Sequence, residues 1–263
     1  MDLRSSKSYV MLKSEWRGLQ VKENRYDDPV FFEKYSQMDR SRFGLSAAGE
    51  WETLKAMLPD FSEKRVLDLG CGYGWHCRFA AEHGAAFVLG VDLSRKMLQT
   101  AEKQTTQNNV VYRCCAIEDF KSDAADFDVV ISSLAFHYIS DIDTVFKNIY
   151  RWLKPDGMFV FSVEHPVFTA CGTGNFVYDA DGKPLYFPVD RYFEEGMRHA
   201  QFLGETVIKY HRTLNHYVHA LTDNGFRIRD IREPQPPAHL QNNPGMREEW
   251  RRPMMLILSA SKN

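Results

Sequence analysis

Several things are scarce in this sequence, and each scarcity excludes something. Five cysteines in 263 residues are an odd number without disulfide-like spacing. A disulfide framework is therefore not expected, and a reducing cytoplasm is the simplest compartment. No apolar run approaches the roughly 20 residues of a membrane span. The segment 1–7 has no apolar signal core behind it. Charge of one sign is not in excess, since 33 Lys and Arg face 35 Asp and Glu for a net of −2. That removes any global pull toward nucleic acid or an anionic membrane. Internal repeats and low-complexity stretches are absent. Cys71, His76 and Cys77 lie close together, but no second pair completes a zinc set. His211, His216 and His219 lack the pairing of a metalloprotease helix, so no metal is expected.

What is present is 44% hydrophobic content, enough for one domain with a good core. Strands alternate with helices, which implies a parallel sheet. A helix is expected over Glu50–Leu58, then a strand at Arg65–Leu69. A helix ends near His83-Gly84, a C-cap signal, and a second strand covers Ala86–Val91. Ser94 reads as the N-cap of Arg95–Thr105, and Val110–Cys114 is a third strand. Phe127–Ser132 reads as a fully apolar, central fourth strand. Ile142–Leu153 is a helix, Lys154–Gly157 a turn and Met158–Val163 a fifth strand. After it the rhythm breaks into glycines, prolines and aromatics, read as an inserted, hairpin-bearing cap. A helix at Thr213–Asn224 and strands at Phe226–Glu233 and Met254–Ala260 close the chain, with the loop Pro234–Arg252 between them.

The most informative stretch is Asp68-Leu-Gly-Cys-Gly-Tyr-Gly74. A strand ends in an acid and three alternating glycines, and a helix follows at once. Glycine permits close backbone approach and positive φ. The helix N-terminus adds unpaired N–H groups and a positive dipole end. A second strand ends in Asp92, where a nucleoside ribose would need a hydroxyl acceptor.

The acid followed by Gly-x-Gly-x-Gly resembles the first motif of the class I S-adenosylmethionine (SAM) dependent methyltransferases, of the small-molecule, methyltransferase-11-like kind. Nicotinamide-dependent proteins prefer Gly-x-Gly-x-x-Gly, and Trp75 stands where that pattern wants its last glycine. The resemblance covers roughly Tyr26–Val163. It implies an α/β, doubly wound, seven-stranded, mostly parallel sheet with an antiparallel last strand. One domain would span 1–263, with an N-terminal lid over about 1–45 and an inserted substrate cap over about 165–210.

The resemblance also implies a site. Asp68, Gly70, Cys71 and Gly72 would hold the amino-acid end of SAM, and Asp92 its ribose. Leu93, Met97, Ala116, Ile117 and Glu118 would surround the adenine, and Ser133 would line the methyl end. An N-terminal aromatic helix would add Tyr35 and Met38, with Arg42 a partner for the carboxylate; its other reading is a helix packing its aromatics on the sheet. His137 and His165 are the candidates for a base, since both follow strand ends where open α/β sheets place ligands. Their structural readings are a cap over the site for His137 and a proline-pinned turn for His165. Tyr210–Thr213 could reach the pocket, or His211 could join a helix cap at Thr213.

The expected reaction is methyl transfer from SAM, leaving S-adenosyl-L-homocysteine (SAH), to an O, N or C atom of a small, partly apolar molecule. The alternative is a non-catalytic SAM- or SAH-binding regulator. A nicotinamide oxidoreductase is opposed by the glycine spacing. Ser132–Phe136 lacks the Pro-Pro-aromatic signature of DNA amino-methyltransferases, so nucleic acid and membrane are not expected partners. The oligomeric state is open between monomer and homodimer.

Overall fold

The computed structural model describes residues 22, 24–238 and 246–263. Seven strands form the main sheet: β1 (Arg65–Leu69), β2 (Phe87–Asp92), β3 (Val110–Cys114), β4 (Phe127–Ser133), β5 (Leu153–Glu164), and the two that end the chain order, β10 (Phe226–Arg232) and β11 (Met255–Lys262). Between β5 and β10 lie two hairpins, β6 (Val177–Tyr178) with β7 (Pro184–Tyr186), and β8 (Gly196–Phe202) with β9 (Glu205–His211). The helices are α1 (Pro29–Ser36), α2 (Asp39–Phe43), α3 (Trp51–Met57), α4 (Trp75–Glu82), α5 (Arg95–Gln104), α6 (Ile142–Trp152), α7 (Pro166–Thr169), α8 (Leu214–Thr222) and α9 (Met246–Glu249).

The strand order is β10-β11-β5-β4-β1-β2-β3. β1 through β5 run parallel, and β11 pairs antiparallel with both β5 and β10. The chain moves outward from β1 to β3 and then restarts on the other side with β4. That reversal opens a crevice at the carboxyl ends of β1 and β4, the place where such sheets hold ligands.

Alternate residues of the central strands feed two cores, as a period of two requires. Val130, Phe159 and Phe161 join Phe146, Ile149 and Trp152 of α6 and Tyr217 and Leu221 of α8 on one face. Val129 and Ile131 join Cys77 and Ala80 of α4 and Leu98 of α5 on the other. α6 shows why its sequence is helical. Ile142, Val145, Phe146, Ile149 and Trp152 recur on one face and are buried, and Asp141 caps its start by accepting the Thr144 N–H at 3.0 Å. Ser94 caps α5 as the sequence implies, accepting the Met97 N–H at 3.1 Å.

Three expectations need correction. β4 is central but not fully apolar, because Asp128 lies within it. That carboxylate accepts the Arg65 N–H at 2.8 Å and Lys154 Nζ at 2.8 Å, which satisfies its charge at the strand's start. The turn at Lys154–Gly157 is absorbed into β5. Asp156 takes φ 61° there, and the pairing with β4 shifts register between Phe127 and Val129, so the extra residues form a bulge. The N-terminal aromatic helix is broken in two. α1 stops at Ser36, and Met38 begins α2. Of the proposed lid, residues 1–21 and Glu23 lie outside the described residues, as do 239–245 of the late loop.

The N-terminal segment and the inserted hairpin touch. Phe31, Ala200 and Val207 form a buried cluster, with Tyr26, Phe202 and Leu203 against it. Lys34 and Glu205 form an exposed ion pair at 3.3 Å.

Candidate active site

A cavity of about 260 Å³ occupies the crevice. Its first half is built from the loops after β1, β2 and β3. Gly70 and Gly72 adopt φ of 77° and 52°. A Cβ on Gly70 would lie 2.4 Å from that of Ala135, so the loop must be bare to pass beneath the β4 loop. Among the described residues, a Cβ on Gly72 would meet nothing within 4 Å, where the loop borders the cavity. The Gly72 N–H donates to Asp92 Oδ2 and the Ser94 N–H to Asp92 Oδ1, both at 2.8 Å. These bonds orient the carboxylate and leave each oxygen a further lone pair for a ligand hydroxyl. Leu93, Met97, Ala116 and Ile117 provide an apolar slot beside it, with Glu118 at the wall.

A short N-terminal arch covers this half. Asp27 accepts Ser94 Oγ at 2.7 Å and the Lys96 N–H at 3.1 Å, at the start of α5. The adjacent Tyr26 reaches Tyr138 after β4, with the two hydroxyls 3.2 Å apart. Tyr35, Met38, Arg40 and Ser41 follow along the wall. Arg42, the residue expected to meet a carboxylate, is instead exposed and stacks on Phe43 at 5.1 Å. Arg40 faces the cavity, held by Glu50 at 2.5 Å. Two positions apart on one helical turn, the two arginines point to different sides.

The second half lies over the ends of β4 and β5. Ser133, Leu134, Ala135, His137 and Tyr138 come from β4 and its loop, and Glu164 from the end of β5. Met255 enters from the start of β11 and Met254 from the residue before it, and Phe202 and Lys209 from the inserted hairpin. Lys209 pairs with Glu164 at 2.5 Å, both largely buried.

The chain is similar to known proteins. A family model described as a methyltransferase domain matches residues 67–161. A solved structure from Listeria monocytogenes, assigned to the S-adenosylmethionine dependent methyltransferases, is 55% identical. It superposes with a TM-score of 0.80 over 84% of this chain and 99% of its own. An S-adenosylmethionine dependent methyltransferase from Mesorhizobium loti is 41% identical with a TM-score of 0.78, over 83% and 100% of the two chains. An uncharacterised protein of Haemophilus influenzae is 33% identical over 244 residues, 90% of this chain and 96% of that one. The chain belongs to the SAM-dependent methyltransferases.

The methyltransferase's cavity fits SAM on its own terms. Among the described residues, Trp75 Nε1 is a buried polar atom without a hydrogen-bond partner, and Trp75 lines the cavity. A bound ligand with an amino group, a carboxylate and two ribose hydroxyls offers such an atom a partner. Among the sequence candidates, the structure brings Tyr35, Met38, Gly70, Cys71, Gly72, Asp92, Leu93, Met97, Ala116, Ile117, Glu118, Ser133 and His137 to the one cavity. Asp68 and His165 stand apart. Asp68 is fully buried beneath the glycine loop. One oxygen accepts the Cys77 thiol at 3.3 Å and the other has no partner among the described residues. Burial pushes its carboxyl up to about 7. His165 caps α7 by accepting the Val167 N–H at 3.0 Å, and its Nε2 lies 2.8 Å from Glu233.

His137 is in the methyltransferase's cavity but poorly suited to be a base. Its Nδ1 accepts the Glu164 N–H at 3.4 Å, which leaves the ring proton on Nε2. Burial, aided by Lys209, Arg212 and Arg40, pushes its pKa down to about 4. Burial alone would raise the Glu164 carboxyl, but His137 and Lys209 together hold it below the usual range. Burial raises Asp92, opposed by the Ser94 and Gly72 N–H bonds. His211 does not reach the cavity. It bonds Thr169 Oγ1 at 2.7 Å and the Tyr192 carbonyl at 2.8 Å, while Thr213 caps α8 by itself.

Sequence reasoning missed Arg40, Trp75, Phe202, Lys209 and Met254. The burial of β9 alternates, with Val207, Lys209 and His211 inward. That period of two was visible in the sequence, but a lysine in the inward set carries no local sign of its partner.

Proposed function

We propose that this methyltransferase transfers the methyl group of SAM to a small, partly apolar acceptor held beside Lys209, Glu164 and His137. The observation that carries this reading is the continuity of the cavity from Asp92 to Lys209. A pocket meant only to bind SAM or SAH needs no such extension beyond the methyl end. Bound SAM supplies a methyl already made electrophilic by its sulfonium. The residues here then need to orient the acceptor and keep water out. Leu134, Ile139, Phe202, Met254 and Met255 provide apolar walls for that purpose. Asp92 would hold the ribose and Arg40 the ligand carboxylate.

In this reading the described part of the N-terminal segment, from residue 24 to about 45, is a lid, and about 165–210 is the substrate cap. Their shared cluster around Phe31 supports a common roof. A cytoplasmic setting is supported by five free thiols. Among the described residues, no helix is long and apolar enough to cross a membrane.

The test is calorimetric titration with SAH, with NADH as control, followed by a screen of small acceptors with methyl-labelled SAM. Micromolar SAH binding together with label transfer to a small molecule is the expected result. Binding of NADH, or of neither, refutes the proposal.

A further inference from the structure

The polar groups of the acceptor half are few and specific. Lys209 Nζ bonds Glu164 Oε1 and sits 5.2 Å from the centre of the Phe202 ring and 5.7 Å from that of Tyr138. An ammonium has three donors, and one carboxylate oxygen uses one. Ring faces on either side attract the charge without consuming the remaining donors. His137, with its proton on Nε2, is a neutral donor. Of the carboxylates that line the cavity among the described residues, Asp92 ends β2, Glu118 follows β3, and Glu164 alone is at this end. Its charge is already matched by Lys209.

That balance discriminates among acceptors. A protonated amine would meet the Lys209 ammonium and find, among the described residues, no uncompensated carboxylate. A hydroxyl oxygen, by contrast, can accept from Lys209 while its proton is taken up by Glu164. The walls around it are aromatic and apolar, which suits a phenol.

We infer that the acceptor atom is a hydroxyl oxygen on a small apolar molecule, held by Lys209, with Glu164 as the catalytic residue that receives its proton. This rests on the function proposed above. Transfer forms one oxygen–carbon bond and breaks one carbon–sulfur bond, with the electron pair leaving on sulfur. The hydroxyl proton moves to the Glu164 carboxylate. The oxygen becomes strongly acidic as the new bond forms, so a carboxylate of low basicity suffices.

The experiment has two arms on the full chain. In the first, phenol, catechol and 4-nitrophenol are offered with methyl-labelled SAM, beside aniline and benzylamine. In the second, the absorbance of 4-nitrophenol is followed on the SAH-saturated protein, where contact with Lys209 favours the phenolate. At least one phenol should be methylated and neither amine. Glu164→Gln should lower kcat/KM roughly 100-fold, the scale of a lost general base, with SAH affinity unchanged. Lys209→Met should return the bound 4-nitrophenol spectrum toward the neutral form. Removing one partner of a buried pair can destabilise the fold, so the double variant Lys209→Met/Glu164→Gln, which removes both charges, is run alongside. Methylation confined to the amines, no phenol methylated by a protein that binds SAH, or unchanged kcat/KM in the double variant each overturns the inference. Loss of SAH binding by the wild type would instead refute the cofactor reading beneath it.

Discussion

Two glycines two residues apart should respond unequally to the same substitution. Gly70 and Gly72 both have positive φ, so alanine at either costs about 1–2 kcal/mol in backbone strain. The added methyl group separates them. At Gly70 it would lie 2.4 Å from Ala135 Cβ, far inside contact distance, adding roughly 1–3 kcal/mol of overpacking. At Gly72 it would meet no atom of the described residues within 4 Å. Gly72→Ala should therefore melt only slightly below the wild type, while Gly70→Ala melts well below it. If the open space at Gly72 is where the ligand lies against the backbone, the same methyl overpacks the complex. A cost of about 1–3 kcal/mol is a roughly 5- to 150-fold rise in the SAH dissociation constant. Differential scanning calorimetry and SAH titration of both variants decide the matter. A folded Gly72→Ala protein that binds SAH as the wild type does would refute the placement of the ligand on this loop.

Three further outcomes are expected. Asp92→Ala removes charge-assisted hydrogen bonds worth about 1.5–3 kcal/mol each to the ribose, so SAH affinity by calorimetry should fall at least roughly 100-fold. Unchanged affinity in a folded variant would remove Asp92 from the site. Asp68, pushed up to about 7 by burial, binds its proton more tightly folded than unfolded. Its contribution is fully present below its unfolded pKa and is lost as pH rises toward 7. Asp68→Asn should accordingly melt above the wild type at about pH 8, with the gap closing toward about pH 4; a gap that widens on acidification contradicts this. Asp27→Ala frees the Ser94 hydroxyl and the Lys96 N–H at the start of α5, a loss of about 1 kcal/mol. If the arch also closes over the ligand, SAH should bind roughly fivefold more weakly, and equal binding would separate arch from site.

Much of the sheet was legible because its signals are local. β1 and β3 begin and end where apolar alternation and turn residues place them, and Ser94 announces α5 by its position. The half of the cavity facing Asp92 was legible for the same reason, since its residues follow consecutive strand ends. What failed to show were features made by distant pairs. Asp128 is tolerated in the central strand because Lys154 and the Arg65 N–H meet it from elsewhere in the chain. Arg40 and not Arg42 faces the cavity because the N-terminal helix breaks before Met38, which resets which side each faces. Lys209 depends on Glu164, 45 residues earlier. His165 follows a strand end as His137 does, yet α7 starts on it and its ring is spent on the cap and on Glu233.

The position of β11 has a consequence for the order in which the molecule is assembled. It is the last strand in chain order, yet it lies between β5 and β10, with Met255 opposite Glu164 and the Met254 carbonyl accepting the His165 N–H. The pairing joins segments about 90 residues apart, and such long closures are slow. The loops after β1, β2 and β3, by contrast, lie within a short contiguous stretch and can form early. A folding chain would thus acquire the Asp92 half of its cavity, proposed to hold the nucleoside, first. The other half, whose floor includes Met254 and Met255, is finished only when the final strand threads in. During refolding, SAH protection should precede the recovery of turnover by the time that last insertion takes.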